Sequence, residues 1–228
     1  IVKSIEVKPQ LISDFNIQSE EICQGQSFSL MYNGNANVNG ANFNWDFDGA
    51  QVLSGSGGGP IDISWDSAGE KIVTLIVDED GCISHLSSQL VVVLSTPITG
   101  FEANPLFDCA PTTVDFIDTT SNITNNVSYS WQFGNGDEST SQFPSYTYVQ
   151  PGSYNVKLEV TNNSICSNSI TKSGYIIVNE TPIANFDPTP FETVLEEPTI
   201  YFTNSSVGSG TLTYFWDFGD GNNSTEQS

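Results

Sequence analysis

The sequence contains no arginine and one histidine, and its five basic residues are all lysines, against 27 acidic residues. The formal net charge at pH 7 is therefore −22. Proteins that bind nucleic acids need cationic side chains to displace counterions from phosphates. A chain this acidic would be repelled by DNA, RNA and anionic lipid, so we expect none of them as partners. The same charge favours solubility and attracts divalent cations.

The sequence also lacks a long apolar run and a set of histidines. No stretch approaches the roughly 18 to 20 apolar residues of a membrane span, so we expect no membrane insertion of this segment. The single histidine, His85, follows Cys82 by three positions in a turn-like stretch. Nucleophilic catalysis by serine or cysteine needs a positioned base, and zinc sites need clustered His and Cys ligands. We therefore expect an exposed loop histidine and no enzyme.

Aromatic residues, by contrast, recur at a regular interval. Trp45 and Trp131 are 86 positions apart, and Trp131 and Trp216 are 85 apart. Each tryptophan is followed two positions later by a phenylalanine: Phe47, Phe133 and Phe218. A period of about 85 residues is close to the size of one small β-sandwich domain.

Within each period the apolar residues alternate with polar ones. Val156, Leu158 and Val160 alternate with Lys157 and Glu159, for example. This period of two is typical of strands with one buried face. No long stretch shows the period of a helix, so we predict an all-β chain of tandem sandwiches.

The glycine and proline residues between these segments predict turns and domain boundaries. Asp80-Gly81 fits a tight hairpin turn, because glycine tolerates the positive φ that such a turn requires. Short junctions containing proline but no glycine separate the repeats, which predicts stiff connections and a rod-like array. We predict the end of a preceding repeat at 1–8, repeat 1 at 9–96, repeat 2 at 97–181 and an incomplete repeat 3 at 182–228.

The repeated strings resemble the hallmark of the PKD domain, the polycystic-kidney-disease repeat. Trp216 to Gly221 read W-D-F-G-D-G, whereas Trp131 to Gly136 read W-Q-F-G-N-G and Trp45 to Gly49 read W-D-F-D-G. The later strings of the family are similar to Tyr146 to Val160 of this chain. The resemblance implies a seven-stranded immunoglobulin-like sandwich. The variant with one early and one late cysteine per repeat is most similar to arrays in bacterial proteins exported by type IX secretion, including adhesins of gliding bacteria.

Four cysteines allow three sets of pairings. Cys23 precedes Trp45 by 22 positions and Cys109 precedes Trp131 by 22, while Cys82 and Cys166 both follow a long apolar strand. The symmetry of the repeats favours two bonds within repeats, Cys23–Cys82 and Cys109–Cys166. The alternative is four free buried thiols in a cytosolic protein. Repeat 3 has Glu196 or a neighbour in place of the early cysteine, so we expect no bond there.

The motif residues have two interpretations each. The three tryptophans are the type of residue that stacks on sugars, but the alternation places them, with their phenylalanines, in sandwich cores. Carboxylates of the motifs are calcium ligands by type, yet the EF-hand spacing is absent, so we expect them to bond turn backbone instead. We assign no cofactor; calcium binding stays open, with no ligand assigned. The aspartates in question are Asp46, Asp48, Asp217 and Asp220.

The sequence predicts a non-catalytic, extracellular segment of a bacterial cell-surface protein. Its function would be that of a stalk or adhesin, which spaces and displays partners and makes weak contacts with proteins or glycans. Other surface or secretion-system proteins are the expected protein partners. The alternative is an accessory region of a secreted hydrolase, which would orient a catalytic domain on polysaccharide or protein.

Overall fold

The computed structural model describes residues 9–124, 126–195 and 198–228. Two expectations concern residues outside this part of the chain: the preceding repeat at 1–8, and the missing early cysteine at Glu196. The described residues form 21 strands and contain no helix, which confirms the all-β fold class.

The first stretch of the chain, with strands from Phe15 to Leu94, forms a sandwich of two sheets. One sheet has the strand order β1-β3-β6-β5, and the other has the order β2-β9-β7-β4 with β8 paired to β7. Its strands are β1 (Phe15–Ile17), β2 (Glu21–Cys23), β3 (Phe28–Tyr32), β4 (Asn42–Asp46), β5 (Gln51–Ser54), β6 (Ile61–Ser64), β7 (Gly69–Glu79), β8 (Cys82–Ile83) and β9 (Ser87–Leu94).

Both sheets contribute to one core because their strands alternate. Phe28 and Leu30 of β3 and Ile61 and Ile63 of β6 are almost completely buried, and they face buried residues of β7 such as Leu75. Strand β7 also sets the position of Trp45, which lies opposite Leu75 in the antiparallel β4–β7 pair.

The second stretch, with strands from Phe101 to Asn179, also forms a sandwich of two sheets. A sheet of order β10-β12-β15 and a sheet of order β11-β17-β16-β13-β14 contribute the buried residues. Its strands are β10 (Phe101–Asn104), β11 (Phe107–Cys109), β12 (Thr112–Asp118), β13 (Val127–Gln132), β14 (Glu138–Ser139), β15 (Ser145–Tyr148), β16 (Gly152–Asn162) and β17 (Cys166–Asn179).

The third stretch forms two small two-stranded sheets, β18–β19 and β20–β21. Its strands are β18 (Phe186–Thr189), β19 (Tyr201–Asn204), β20 (Trp216–Asp217) and β21 (Asn223–Ser224). No sheet among the described residues mixes strands from two of the three stretches. The predicted boundaries of the repeats stay predictions. The first two stretches have nine and eight strands rather than the implied seven, since short strands such as β8 and β14 are added.

The predicted hairpin turn after β7 is confirmed. Asp80 and Gly81 both have positive φ, +53° and +79°, and Glu79 pairs with Cys82 across the turn. The corresponding turn after β16 uses Asn163 and Ser164, with φ of +50° and +65°. Asn162 precedes these two residues, and its side chain has a different role, described below.

The described residues divide into two compact units. The first contains the described part of Ile1–Gly100 together with Thr119–Tyr129 and Glu159–Ser169. The second contains Phe101–Asp118, Ser130–Leu158 and Ile170–Ser228. The disulfide and the linker described next lie wholly in the first unit.

Candidate functional site

The tryptophan motif of the second stretch lies in a closed core. Trp131 is 0% exposed, and its ring contacts Phe101 edge-on at 5.2 Å and Phe116 at 5.5 Å between centroids. Its Nε1 donates to the carbonyl of Ser141 at 2.8 Å, so the polar atom of the indole is also satisfied. Phe133 is equally buried against Phe116. A ring enclosed in this way has no face left for a sugar.

The same motif is less enclosed in the other two stretches. Trp45 and Phe47 are half-buried against the first core, and Trp45 donates to the carbonyl of Gly57 at 2.8 Å. The glycine-rich segment that contains Gly57 is therefore part of the cover over Trp45. Trp216 is half-buried and Phe218 is 43% exposed.

Glycine in the W-x-F-G string has a steric reason in the second stretch. Gly134 has a φ of +88°, which side-chain-bearing residues rarely adopt. A Cβ at Gly134 would also lie 2.5 Å from the carbonyl oxygen of Asn155. The motif therefore requires glycine where the turn approaches β16.

In the first two stretches, the carbonyl of the motif phenylalanine receives a hydrogen bond from an aromatic side chain outside the motif. The Tyr148 hydroxyl donates to the Phe133 carbonyl at 3.0 Å, and Trp65 Nε1 donates to the Phe47 carbonyl at 2.9 Å. Both donors are almost fully buried. Burial raises the pKa of Tyr148 well above its usual range, with a further increase from Tyr146. A tyrosine in the second stretch and a tryptophan in the first thus bond equivalent backbone carbonyls, those of Phe133 and Phe47.

Three of the motif carboxylates bond the backbone of their own turns, and Asp48 bonds the backbone of strand β7. Asp46 accepts from the Asp48 amide at 3.0 Å, and Asp48 accepts from the Ile72 amide at 2.9 Å. Asp217 accepts from the Gly219 amide at 2.9 Å. Asp220 accepts from the Asn222 amide, which lowers the pKa of that carboxyl group. The predicted bonding to backbone is confirmed, within the turn for Asp46, Asp217 and Asp220 and to strand β7 for Asp48. Among the residues described, no group of three or more His, Cys, Asp or Glu side chains is placed to hold a metal ion.

The disulfide pairing predicted from the repeat symmetry is wrong. Cys23 is bonded to Cys166, with 5.5 Å between the Cα atoms and 143 positions between them in sequence. Cys82 and Cys109 are free and exposed. The bond joins a strand of the first sandwich, β2, to a strand of the second, β17.

Strand pairing explains why the two bonds within repeats cannot form. Cys23 lies opposite Leu94, the last residue of β9, in the parallel β2–β9 pair. Cys82 lies in the short hairpin that precedes the start of β9. The length of β9, roughly 23 Å at about 3.3 Å per residue, separates the two positions. A disulfide needs Cα atoms within about 7 Å.

The same geometry holds in the second sandwich. Cys109 pairs with Asn179, the last residue of β17, whereas Cys166 is the first residue of that strand. In each sandwich the early cysteine therefore lies at one pole and the late cysteine at the other. Repeat symmetry alone cannot show this, because it relates equivalent positions without saying which of them are neighbours.

A buried asparagine holds the linker that follows β9. Asn162 is 0% exposed, and its amide nitrogen donates to the carbonyl and hydroxyl oxygens of Ser95 at 3.1 and 3.2 Å. It also donates to the carbonyl of Asn122 at 3.0 Å, while its Oδ1 accepts from the Thr124 amide. One side chain thus ties the linker to two segments of the second stretch. Burying it unpaired would be costly, so the contact fixes the linker.

Further hydrogen bonds continue along the linker. Asn122 donates to the carbonyl of Thr96 at 2.7 Å, and Asn168 donates to the carbonyl of Pro97 at 3.0 Å. Ile98 and Ser121 form an isolated antiparallel bridge. Together with the disulfide, these contacts define the linker clamp: Cys23–Cys166 plus the bonds that Asn122, Asn162, Asn168 and Ser121 make to residues 95–98. No sequence motif predicted the clamp. The sequence shows asparagine at 122, 162 and 168, but it does not show that these residues contact the linker.

The arrangement can restrain a linker. His85 lies exposed in the loop before β9, as expected, and its carbonyl rather than its ring accepts hydrogen bonds from Ser13 and Ser84. None of the described residues forms a helix long and apolar enough to cross a membrane.

Comparison with known proteins identifies a family for part of the chain. Residues 96–178 match the family model of the PKD domain. A stretch of 39 residues, 17% of this chain, is 51% identical to the pre-pro-metalloprotease PrtV of Vibrio cholerae and covers 4% of that protein. The chain thus spans a small fraction of the curated relatives that it matches.

Two solved structures are similar to parts of the chain. The PKD1 domain of the Vibrio cholerae metalloprotease PrtV is 33% identical over 38% of this chain and 99% of that domain, with a TM-score of 0.32. The N-terminal eight immunoglobulin domains of Down Syndrome Cell Adhesion Molecule are 12% identical over 75% of this chain and 24% of theirs, with a TM-score of 0.43.

The sheets and cores define the chain as a set of immunoglobulin-like β-sandwiches. More narrowly, it contains a PKD domain at residues 96–178. This assignment rests on the family match in sequence.

Proposed function

We propose that this chain is a non-catalytic stalk segment of an extracellular protein at a bacterial cell surface. It would space and display partners, and it would make weak contacts with proteins or glycans. The observation that carries the proposal is the linker clamp, because a spacer works by keeping consecutive domains from folding back or extending freely.

The covalent part of the clamp suits a protein under tension. Pulling force that enters near Cys23 passes through the disulfide to Cys166 and leaves the residues between them unloaded. Most of the first sandwich and most of the second lie between those two positions. A stalk of this kind resists forced unfolding without needing a large core in each domain.

The charge of the chain supports the same function. At a net charge of −22, copies of the chain repel one another and stay soluble at high surface density. The resemblance to arrays in type IX-secreted adhesins of gliding bacteria supports the location at the cell surface. Disulfide bonds persist in such oxidising compartments and rarely in the cytosol.

A replacement experiment tests the spacing function. In the cells that make the protein, residues 9–181 are replaced by two unrelated β-sandwiches of similar length, and adhesion to a surface is measured. Deletion of the same residues, with the flanking sequence joined, serves as the control. If spacing is the function, deletion lowers adhesion and the replacement restores it. Failure of the replacement, with normal export, would refute a role as a spacer.

The second candidate is an accessory region of a secreted hydrolase. The identity to a stretch of a metalloprotease of Vibrio cholerae favours it. In this case the chain would itself contact the substrate and orient a catalytic domain. Sedimentation of the isolated chain with insoluble polysaccharide or protein distinguishes the two. Retention at physiological salt and low chain concentration supports the accessory role, whereas no retention, or retention only at high chain concentration, agrees with the weak contacts of a stalk.

A further inference from the structure

The free cysteines Cys82 and Cys109 occupy the two positions that are bonded to each other in Cys23–Cys166. We propose that each forms the same kind of disulfide with an adjoining sandwich of this type. Cys109 would bond a cysteine at the start of that sandwich's last strand, and Cys82 would bond a cysteine in the β2 position of another. The bonds would form a ladder in which each link joins consecutive sandwiches.

Backbone pairing shows that Cys109 and Cys23 are equivalent. Cys23 pairs with Leu94 in a parallel pair at the end of β9, and Cys109 pairs with Asn179 in a parallel pair at the end of β17. Both cysteines end their short strands. Cys109 is thus held against the end of its sandwich in the register that Cys23 has in the first.

The residue after each cysteine contacts the linker in the same way. Gln24 donates to the Leu94 carbonyl at 2.8 Å and accepts from the Thr96 hydroxyl at 3.2 Å. Ala110 donates to the Asn179 carbonyl at 2.9 Å and accepts from the Thr181 hydroxyl. The two linkers therefore leave their sandwiches along the same path.

The linkers also continue alike. Ile98 forms an isolated bridge with Ser121, and Ile183 forms one with Val207. The amide of Ile98 donates to Ser121 and that of Ile183 donates to Val207, both at 2.9 Å. Because the second linker makes these same bonds through Thr181 and Ile183, a sandwich that follows it would bring the turn before its last strand to Cys109.

Cys82 is the equivalent of Cys166. Each lies just after a tight turn with two consecutive positive-φ residues that follows an eleven-residue strand, β7 or β16. Cys82 follows Gly81 directly, whereas Ile165 lies between Ser164 and Cys166. Cys166 begins β17, and Cys82 begins the short strand β8. The side chains of both therefore lie at the late pole of their sandwiches.

The bonded cysteines are buried, whereas the two free cysteines are exposed. Cys23 is 6% exposed and Cys166 is 1% exposed, and Ile165 of the β16–β17 turn lies in the same crevice as Cys23. Cys109 is exposed, beside Phe107 at 73% exposure, and Cys82 is exposed beside Ile83 at 67%. An adjoining turn would cover Cys109 and Phe107 as the β16–β17 turn covers Cys23, and the β2 end of an adjoining sandwich would cover Cys82 and Ile83.

Forming each bond is a two-electron oxidation. The two thiols lose two protons and two electrons, and one S–S bond forms between their sulfur atoms. A disulfide-containing oxidant, such as an extracytoplasmic thiol–disulfide oxidoreductase, accepts the electrons and protons and becomes a dithiol through a mixed-disulfide intermediate.

Disulfide mapping of the protein isolated from its own cells tests the proposal. The protein is alkylated without reduction and digested with pepsin, and linked peptides are identified by mass spectrometry. We expect the peptide with Cys109 to be linked to a cysteine that begins the last strand of another sandwich. Recovery of Cys109 as an alkylated thiol, or its linkage to Cys82 in the same molecule, would overturn the proposal.

A lengthened chain tests the geometry directly. Residues 182–228 are replaced by a second copy of residues 97–181, so that Thr181 runs into the copied Pro97. After equilibration in a glutathione redox buffer, we expect two alkylatable thiols, Cys82 and the copied Cys109. The control carries Cys166→Ser in the copy only, and should leave Cys109 alkylatable as well. Equal labelling of Cys109 in both chains argues against the pairing.

The ladder and the stalk function can fail separately. A hydrolase accessory region could contain the same bonds, and a stalk could lack them. Mapping that finds Cys109 unpaired removes the ladder, whereas the replacement experiment on residues 9–181 alone decides the spacing function.

Discussion

Breaking Cys23–Cys166 should release a long segment of chain under tension. The bond closes a sequence separation of 143 residues, and a stretched chain spans about 3.5 Å per residue. Reduction should therefore add about 500 Å to the length that the chain reaches when it is pulled from its two ends. With the bond intact, the two sandwiches can open only outside the loop.

Single-molecule force spectroscopy measures this length. The chain is held by handles at its two ends and extended with and without a reductant. We expect the extra length only with the reductant, or in the Cys166→Ser variant. Cys82→Ser is the matched control, because Cys82 is free in this chain and its loss should not alter the oxidised trace.

The same bond should stabilise the fold at equilibrium. In the chain-entropy treatment, closing a loop of this size is worth about 5 kcal/mol at 25 °C. Thermal unfolding of Cys166→Ser should thus begin at a clearly lower temperature than that of Cys82→Ser. If the oxidised chain extended fully, or if both variants melted alike, the assignment of the bond as a restraint across the linker would be refuted.

Three smaller predictions concern single side chains. Asn162→Ala leaves buried partners unsatisfied, so we expect a loss of about 2 to 3 kcal/mol in urea unfolding, compared with little change for Asn16→Ala at an exposed position of β1. Trp131→Ala should cost about 3 to 5 kcal/mol, while Trp216→Ala, whose ring is half-buried, should cost much less; similar values would contradict the described cores. The raised pKa of Tyr148 means that the folded state holds the hydroxyl proton more tightly than the unfolded state does. Its contribution is complete below the unfolded pKa of about 10 and is lost as the pH rises above that value, so Tyr148→Phe should flatten the alkaline fall in melting temperature.

Sequence patterns predicted the features that depend on neighbours along the chain. Alternation placed Val156, Leu158 and Val160 on one face of a strand, and all three are 0% exposed. The Asp80-Gly81 turn followed from the need for positive φ. Both features are local, because side-chain direction in a strand and turn conformation depend on a few consecutive residues.

Burial of the aromatic motif was predictable only in part. The same string gives a fully enclosed Trp131 and a half-buried Trp216, although their nearest ring contacts are alike: Phe101 lies 5.2 Å from Trp131, and Phe186 lies 5.3 Å from Trp216. The two tryptophans differ in how far residues of other strands cover them. Strands β15, β16 and β17 contribute buried residues around Trp131, and burial depends on such distant strands.

The amino-acid sequence by itself determined that the chain is built from β-strands in repeats of about 85 residues, because hydrophobic alternation and turn residues act locally. Only the tertiary structure decided which cysteines are partners and which asparagine holds the linker. Sheet pairing places Cys23 and Cys82 at opposite poles of one sandwich and brings Cys166 to Cys23 across 143 positions. A disulfide forms between atoms that are close in space, and the repeat pattern specifies equivalence without specifying proximity.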